Sequence, residues 1–229
     1  MDRSIFDNNW LCAYSKVVMM KKFKALILIM LFAVSAAFGA DFKQLDEAQS
    51  AEAIRKIDAS CAGIKSLSAD FKQVKEMAIL QEKMVSKGKM CFADGMLRWE
   101  YVSPYTYLFI LNKEKVLLQS SQTTNKMDVN SNRLFKSIAR IIMNSITGQG
   151  LSGEGDFKVR MFLSDGRYMA ELEPLRKEMK QMFKTVRLHF GKDLKVSEVV
   201  LVDNSGETVI TIQNAEYNKP VNAKLFVVD

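Results

Sequence analysis

The stretch Lys83–Val102, KMVSKGKMCFADGMLRWEYV, decides the fold class. Met84, Ser86, Gly88, Met90 and Phe92 alternate with Lys83, Val85, Lys87, Lys89 and Cys91, and a period of two belongs to a β-strand with two distinct faces. Ala93-Asp94-Gly95 follows. An Asp-Gly pair at this point signals a tight hairpin, because a two-residue loop needs positive φ at both central positions. Met96 to Val102 is the return strand, with Leu97, Trp99 and Tyr101 on one face, and Ser103-Pro104 ends it.

The same period continues outward in both directions. Leu67 to Met77 precedes the hairpin, with Leu67, Ala69, Phe71 and Gln73 on one face. Tyr105 to Leu111, Lys115 to Ser120 and Lys126 to Val129 follow it. A second series comprises Phe157 to Leu163, Tyr168 to Glu173, Thr185 to Phe190, Val196 to Asp203, Thr208 to Ala215 and Lys224 to Val228. Asp165-Gly166, Gly191-Lys192-Asp193 and Asn204-Ser205-Gly206 punctuate that series as turns. Leu175 to Met182 is a single helical turn or a basic loop.

Two segments carry a helical period instead. Gln44 to Cys61 places Leu45, Ala48, Ala51, Ile54, Ile57 and Cys61 at spacings of three and four. Ser131 to Thr147 carries Leu134, Phe135, Ile138, Ile141, Ile142, Met143 and Ile146, a stripe wide enough to be buried on more than one side. About eleven short strands with two helices give an α+β, mainly β class: one curved antiparallel sheet with helices on one side. A sheet of that many strands curls.

The first forty residues read as an address. Met20-Lys21-Lys22-Phe23-Lys24 is a basic start, Ala25 to Ala37 an apolar run of 13 residues, and Ala37-Phe38-Gly39 offers small residues at the positions a signal peptidase reads. Residues 1–39 are therefore expected to be a secretory signal cut between Gly39 and Ala40. Residues 1–19 read as an extension upstream of the true start, and residues 40–229 as one domain. Net charge changes accordingly. The whole chain is +7, but Arg3, Lys16, Lys21, Lys22 and Lys24 against Asp2 and Asp7 lie in the leader, leaving 28 basic and 24 acidic residues, net +4. No concentrated basic footprint remains, so no nucleic-acid partner is expected.

The chemistry-bearing residues are few. One His and three Cys exclude a multi-histidine or four-cysteine metal site, and no cofactor is expected. His189 sits in a strand between Leu188 and Phe190 without a G-x-S-x-G elbow. Gly148-Gln149-Gly150-Leu151-Ser152-Gly153 has dinucleotide-like spacing but follows a helix instead of opening one. Glu171 and Glu173 share a strand face, where solvation is the simpler role. Cys61 and Cys91 remain in the exported part. In an oxidising compartment they either pair, closing a loop worth about 3–4 kcal/mol in the chain-entropy model, or stay as buried thiols.

The apolar residues are more informative. Ten Met lie beyond the leader, and Phe92, Trp99, Tyr101, Tyr105, Tyr107 and Phe109 cluster on neighbouring strands. Met adapts to ligands of variable shape. Such a set is either an ordinary core between sheet and helices or the lining of a trough for acyl chains.

At Leu97-Arg98-Trp99-Glu100-Tyr101-Val102-Ser103-Pro104 the chain resembles the periplasmic outer-membrane lipoprotein carrier family (LolA). Ser68-Ala69-Asp70-Phe71-Lys72-Gln73, Glu171-Leu172-Glu173-Pro174, Asp203-Asn204-Ser205-Gly206-Glu207-Thr208-Val209-Ile210, Asn218 and Leu225-Phe226 extend the resemblance over residues 43–228. It implies an unclosed half-barrel of about eleven strands with helices lidding the concave side, and a monomeric carrier without enzymatic activity. The cargo would be lipoprotein acyl chains, taken in the periplasm from an inner-membrane lipoprotein-releasing ABC transporter and passed to an outer-membrane acceptor. An envelope glycolipid or pigment-lipid is the alternative cargo. Carried over by position, Leu97, Trp99 and Tyr101 would line the cavity, with Phe71, Met90 and Phe92 beside them and Ile138 and Ile142 on the lid. Family members often have a basic residue and a Pro where this chain has Ala93-Asp94, so lid opening is expected to differ.

Overall fold

The computed structural model describes residues 41–77, 82–113, 115–128, 143–144, 146, 151 and 157–228. Twelve strands form one antiparallel sheet in the order β1-β8-β9-β10-β11-β12-β2-β3-β4-β5-β6-β7. One meander runs β2 (Ser66–Met77), β3 (Glu82–Ala93), β4 (Met96–Ser103), β5 (Tyr107–Asn112), β6 (Lys115–Ser120) and β7 (Thr124–Asp128). The other runs β8 (Phe157–Ser164), β9 (Arg167–Pro174), β10 (Thr185–Phe190), β11 (Val196–Val202) and β12 (Gly206–Tyr217), with the short β1 (Lys43–Gln44) on its outer edge. The two meanders join where β12 pairs with β2.

The hairpins form as their turn residues dictate. Asp94 and Gly95 have φ of 48° and 77°, and Asp165 and Gly166 have 47° and 72°, the paired positive values of two-residue loops whose twist matches the strands. Bulges interrupt the register at Lys87/Gly88, His189/Phe190 and Gln213/Glu216, and each adds local twist that helps the sheet curl.

Helix α1 (Glu47–Cys61) starts three residues later than the periodicity suggests. Asp46 caps it: its carboxylate accepts from the Gln49 amide at 2.8 Å, and the Gln49 side chain accepts from the Asp46 amide at 3.2 Å. With the helix begun there, Lys43 and Gln44 are free to pair with Leu163 and Phe162. The far end also differs from expectation. Lys224 to Val228 is not a strand; Ala223–Phe226 is a 3₁₀ turn capped by the Asn222 side chain. Leu175 to Met182 contains one helical turn, α2 (Lys177–Lys180). Of the expected Ser131–Thr147 helix, Met143, Asn144 and Ile146 are described and helical. The rest of it, with Ile138 and Ile142, the leader and most of the Gly148–Gly153 motif, lies outside the described residues.

Three apolar clusters hold the sheet. On its inner face, Leu67, Phe71, Met90, Phe92, Leu97, Leu111 and Val116 bury against one another across β2–β6. Further round the same face, α1 lays Ala53 and Ile57 onto Met161, Leu172, Val186, Leu188 and Phe190 of β8–β10. On the outer face, the 3₁₀ turn packs Phe226, with Val228, onto Ala93, Ile110 and Leu117. Cys61 belongs to the inner cluster and Cys91 packs against the outer one; both are free thiols. The sheet lies between them, so the pairing considered from sequence is not made.

The outer face of β8–β12 carries a ladder of ion pairs. Arg160 reaches Glu171 at 2.9 Å and Glu173 at 3.4 Å, and Arg187 reaches Glu171 at 3.1 Å and Glu207 at 3.6 Å. Burial alone would push the Glu171 carboxyl up, but the hydrogen bonds from Arg160 and Arg187 outweigh it and hold it below the usual carboxylate value. A depressed native value contributes stability at pH above the usual carboxylate range that is lost as pH falls through the native one. Glu171→Gln should therefore cost about 1 kcal/mol at pH 7, and the gap to wild type should narrow in urea titrations repeated toward pH 3.

Candidate functional site

A trough on the inner face is left open between the two apolar clusters. It is an open cavity of about 370 Å³, within the range of small-molecule sites. Its walls come from β2–β6 on one side, through Leu67, Met90, Trp99, Tyr107, Phe109 and Leu118, and from β10–β12 on the other, through Val186, Val199, Leu201, Ile210 and Ile212. Strands as distant in the sheet as β6 and β10 line one cavity, which requires the sheet to curl around it. Ile146 and Phe183 also reach its lining.

The aromatic wall is ordered from below. Phe71, fully buried, stacks on Trp99 at 4.2 Å between ring centroids and meets Tyr101 edge-on at 5.2 Å. Such offset and edge contacts stabilise aromatic pairs beyond their area burial. Gly88 makes this arrangement possible. It is the cross-strand partner of both Phe71 and Tyr101, and its missing side chain leaves the space that the Phe71 ring fills. Tyr101 and Tyr105 lie 5.9 Å apart, and Tyr105 is largely exposed.

Among the described residues of the lining, polar groups are few. The Tyr101 hydroxyl donates to Gln73 Oε1 at 2.8 Å, and burial pushes the Tyr101 phenol up. At the other end Lys195 Nζ lies 5.2 Å from the centre of the Tyr217 ring. Burial, with the charge of Asp193, pushes the Tyr217 phenol up to about 12. Arrangements of this kind can receive an apolar chain and present a few donors to its head.

The family pattern of outer membrane lipoprotein carrier protein LolA matches residues 62–229. The chain belongs to the LolA family. Solved structures align with it at low identity. A LolA superfamily protein from Nitrosomonas europaea is 10% identical, with a TM-score of 0.45 over 78% of this chain and 97% of that one. The Mycobacterium tuberculosis lipoprotein LppX is 11% identical, with a TM-score of 0.46 over 77% of this chain and 99% of that one. No curated protein matches the sequence.

Among the residues singled out for a LolA-type cavity, Met90, Trp99 and Tyr101 line the open space. Phe71, Phe92 and Leu97 form the buried layer on which that wall rests, Leu97 with no exposed surface. Ala93 packs into the outer cluster and Asp94 sits in the hairpin turn, its amide donating to the Lys65 carbonyl at 3.3 Å. His189 lies beside Phe42, ring centroids 5.4 Å apart, and burial lowers its pKa. Glu171 and Glu173 are held in the outer ion-pair ladder, away from the LolA cavity. The β11 and β12 contributors, Val199, Leu201, Ile210 and Ile212, were not singled out from sequence. Their alternation was readable; the pairing of β12 with β2 that brings them opposite Trp99 was not.

Proposed function

We propose that this LolA-family chain is exported by its leader to the periplasm and carries lipoproteins there. In this reading the trough shields the acyl chains between an inner-membrane ATP-driven releasing complex and an outer-membrane acceptor, without bond chemistry. The observation that carries it is the open apolar cavity walled by Trp99 and Tyr101 in a chain of this family. Each buried methylene is worth about 0.8 kcal/mol, so an acylated protein crosses an aqueous compartment only when its chains are covered. The cavity binds chiefly by apolar area, and few polar anchors permit release.

Incubating the exported chain with a releasing complex and its lipoprotein in membranes should yield a soluble one-to-one complex. Retention of the lipoprotein in the membrane fraction would refute the reading. Trp99→Ala removes the largest side chain of the wall. Losing about 1.4 kcal/mol of apolar contact, it should weaken acyl-chain binding about tenfold, and losing the stack on Phe71 should also cost about 1 kcal/mol of stability or more, measured by native mass spectrometry and by melting.

A further inference from the structure

The lining of the cavity carries polar side chains at two separated places, Gln73 with Tyr101 and Lys195 with Tyr217. Tyr217 pairs with Leu67 and Ile210 with Gln73 along the β12–β2 ladder, so the two places lie about 20 Å apart at about 3.3 Å per residue. Leu67 and Gln73 both line the cavity. That span is long enough for an extended hydrocarbon chain to lie between the two polar places.

The two ends differ in chemistry. At the Gln73 end the Tyr101 hydroxyl donates to Gln73 Oε1, and both groups are uncharged. At the other end sits Lys195, the one charged residue among the described residues of the lining, its side chain 22% exposed. Its ammonium is loosely held. Asp193 offers a carboxylate at 3.9 Å and a carbonyl at 3.5 Å, and that carboxylate is 59% exposed. An ammonium has three donors, and both contacts are at the outer limit of useful distance. Tyr217 adds a phenol on the same wall, a neutral donor.

We propose that Lys195 and Tyr217 form a head-group site for a single-chain anionic amphiphile, its chain lying along the wall from Leu67 toward Gln73. Resting on the reading of the trough as an acyl-chain cavity, this adds a charge-selective end to it. A carboxylate or phosphate oxygen would take the place of water at the ammonium, in surroundings of low polarity where a charge-assisted hydrogen bond is strongest.

The test titrates the delipidated chain with palmitate, palmitoyl lysophosphatidate and uncharged monopalmitoyl glycerol, read by native mass spectrometry. At least one anion should bind ten times more tightly than the neutral ester, and which anion does so separates a fatty-acid from a phospholipid source. Lys195→Met should abolish that preference while leaving the neutral ester within twofold of wild type; Lys195→Arg should keep it. Equal binding of all three by the wild type, or a preference that survives Lys195→Met, overturns the head-group site alone. Binding of none of the three overturns the acyl-chain cavity as well.

Discussion

Replacing Gly88 with alanine is expected to cost this fold about 3 kcal/mol, the upper end of the range for overpacking. The backbone at Gly88 does not require glycine for its φ angle; space does. A Cβ there would lie 2.2 Å from the Glu100 carbonyl oxygen and 2.3 Å from Cζ of Phe71. The first contact is with the backbone of β4, hydrogen-bonded into the sheet on both sides, so no rotamer change relieves it. The second is with a ring that is itself locked, stacked on Trp99 and edge-on to Tyr101. Pushing that ring aside moves the cavity wall. With a urea slope of about 2 kcal/mol/M, the midpoint should fall by about 1.5 M, and Trp99 fluorescence should change in the variant that remains folded. A double-mutant cycle with Phe71→Ala should show coupling above 1 kcal/mol, because each substitution removes the reason for the other. A Gly88→Ala protein within 0.5 kcal/mol of wild type would mean that the ring does not rest on the glycine.

That glycine also shows how far the sequence could be read. The alternation in Lys83–Val102 and its Asp-Gly turn identify the hairpin from local chemistry alone, and Asp94 and Gly95 adopt the positive φ values the turn demands. Gly88 was visible only as a member of the inner face, since nothing local says that Phe71 lies across from it. Register is a long-range property. The α1 boundary failed for a comparable reason: Leu45 continues the helical stripe in sequence, while the Asp46 cap and the edge pairing with β8 decide where the helix starts.

The cavity wall was legible in part. Strand phase placed Met90, Trp99 and Tyr101 together, because β3 and β4 are neighbours in sequence and in space. Val199, Leu201, Ile210 and Ile212 come from strands more than ninety residues away and face the same cavity only because the sheet curls. Lys195 carried no signal either, as a lysine in a turn is ordinarily a solvated one. One overlooked signal was present. Leu108-Phe109-Ile110-Leu111 and Val116-Leu117-Leu118 are unbroken apolar runs, and strands buried on both faces read that way. The inner face takes Phe109, Leu111, Val116 and Leu118; the outer takes Leu108, Ile110 and Leu117. Something had to cover the outer set, and the C-terminal turn does.

Phe226→Ala should accordingly be the most damaging single truncation on the outer face. The ring has no exposed surface and fills the space between Ala93, Ile110, Leu117 and Val228. Its carbonyl accepts from Asn112 Nδ2 at 2.9 Å, and the Leu225 carbonyl accepts from Arg98 Nη1 at 3.2 Å, so the turn is pinned at the height where the ring enters. Removing a buried Phe costs about 3–5 kcal/mol, more where the site cannot collapse, and a β-sheet floor cannot close in on the void as a loop would. The expected result is a loss of that size in urea unfolding, with the acyl-chain affinity of the folded protein unchanged, since β5 and β6 keep their inner side chains. Trp99→Ala should instead weaken binding about tenfold in the protein that folds, with a smaller loss of stability from the missing stack on Phe71. The two variants thus separate the outer face, which holds the sheet, from the inner face, which holds the chain. A Phe226→Ala protein that loses affinity while still folded would show that the C-terminal turn sets the curvature of the cavity and does more than cover its back.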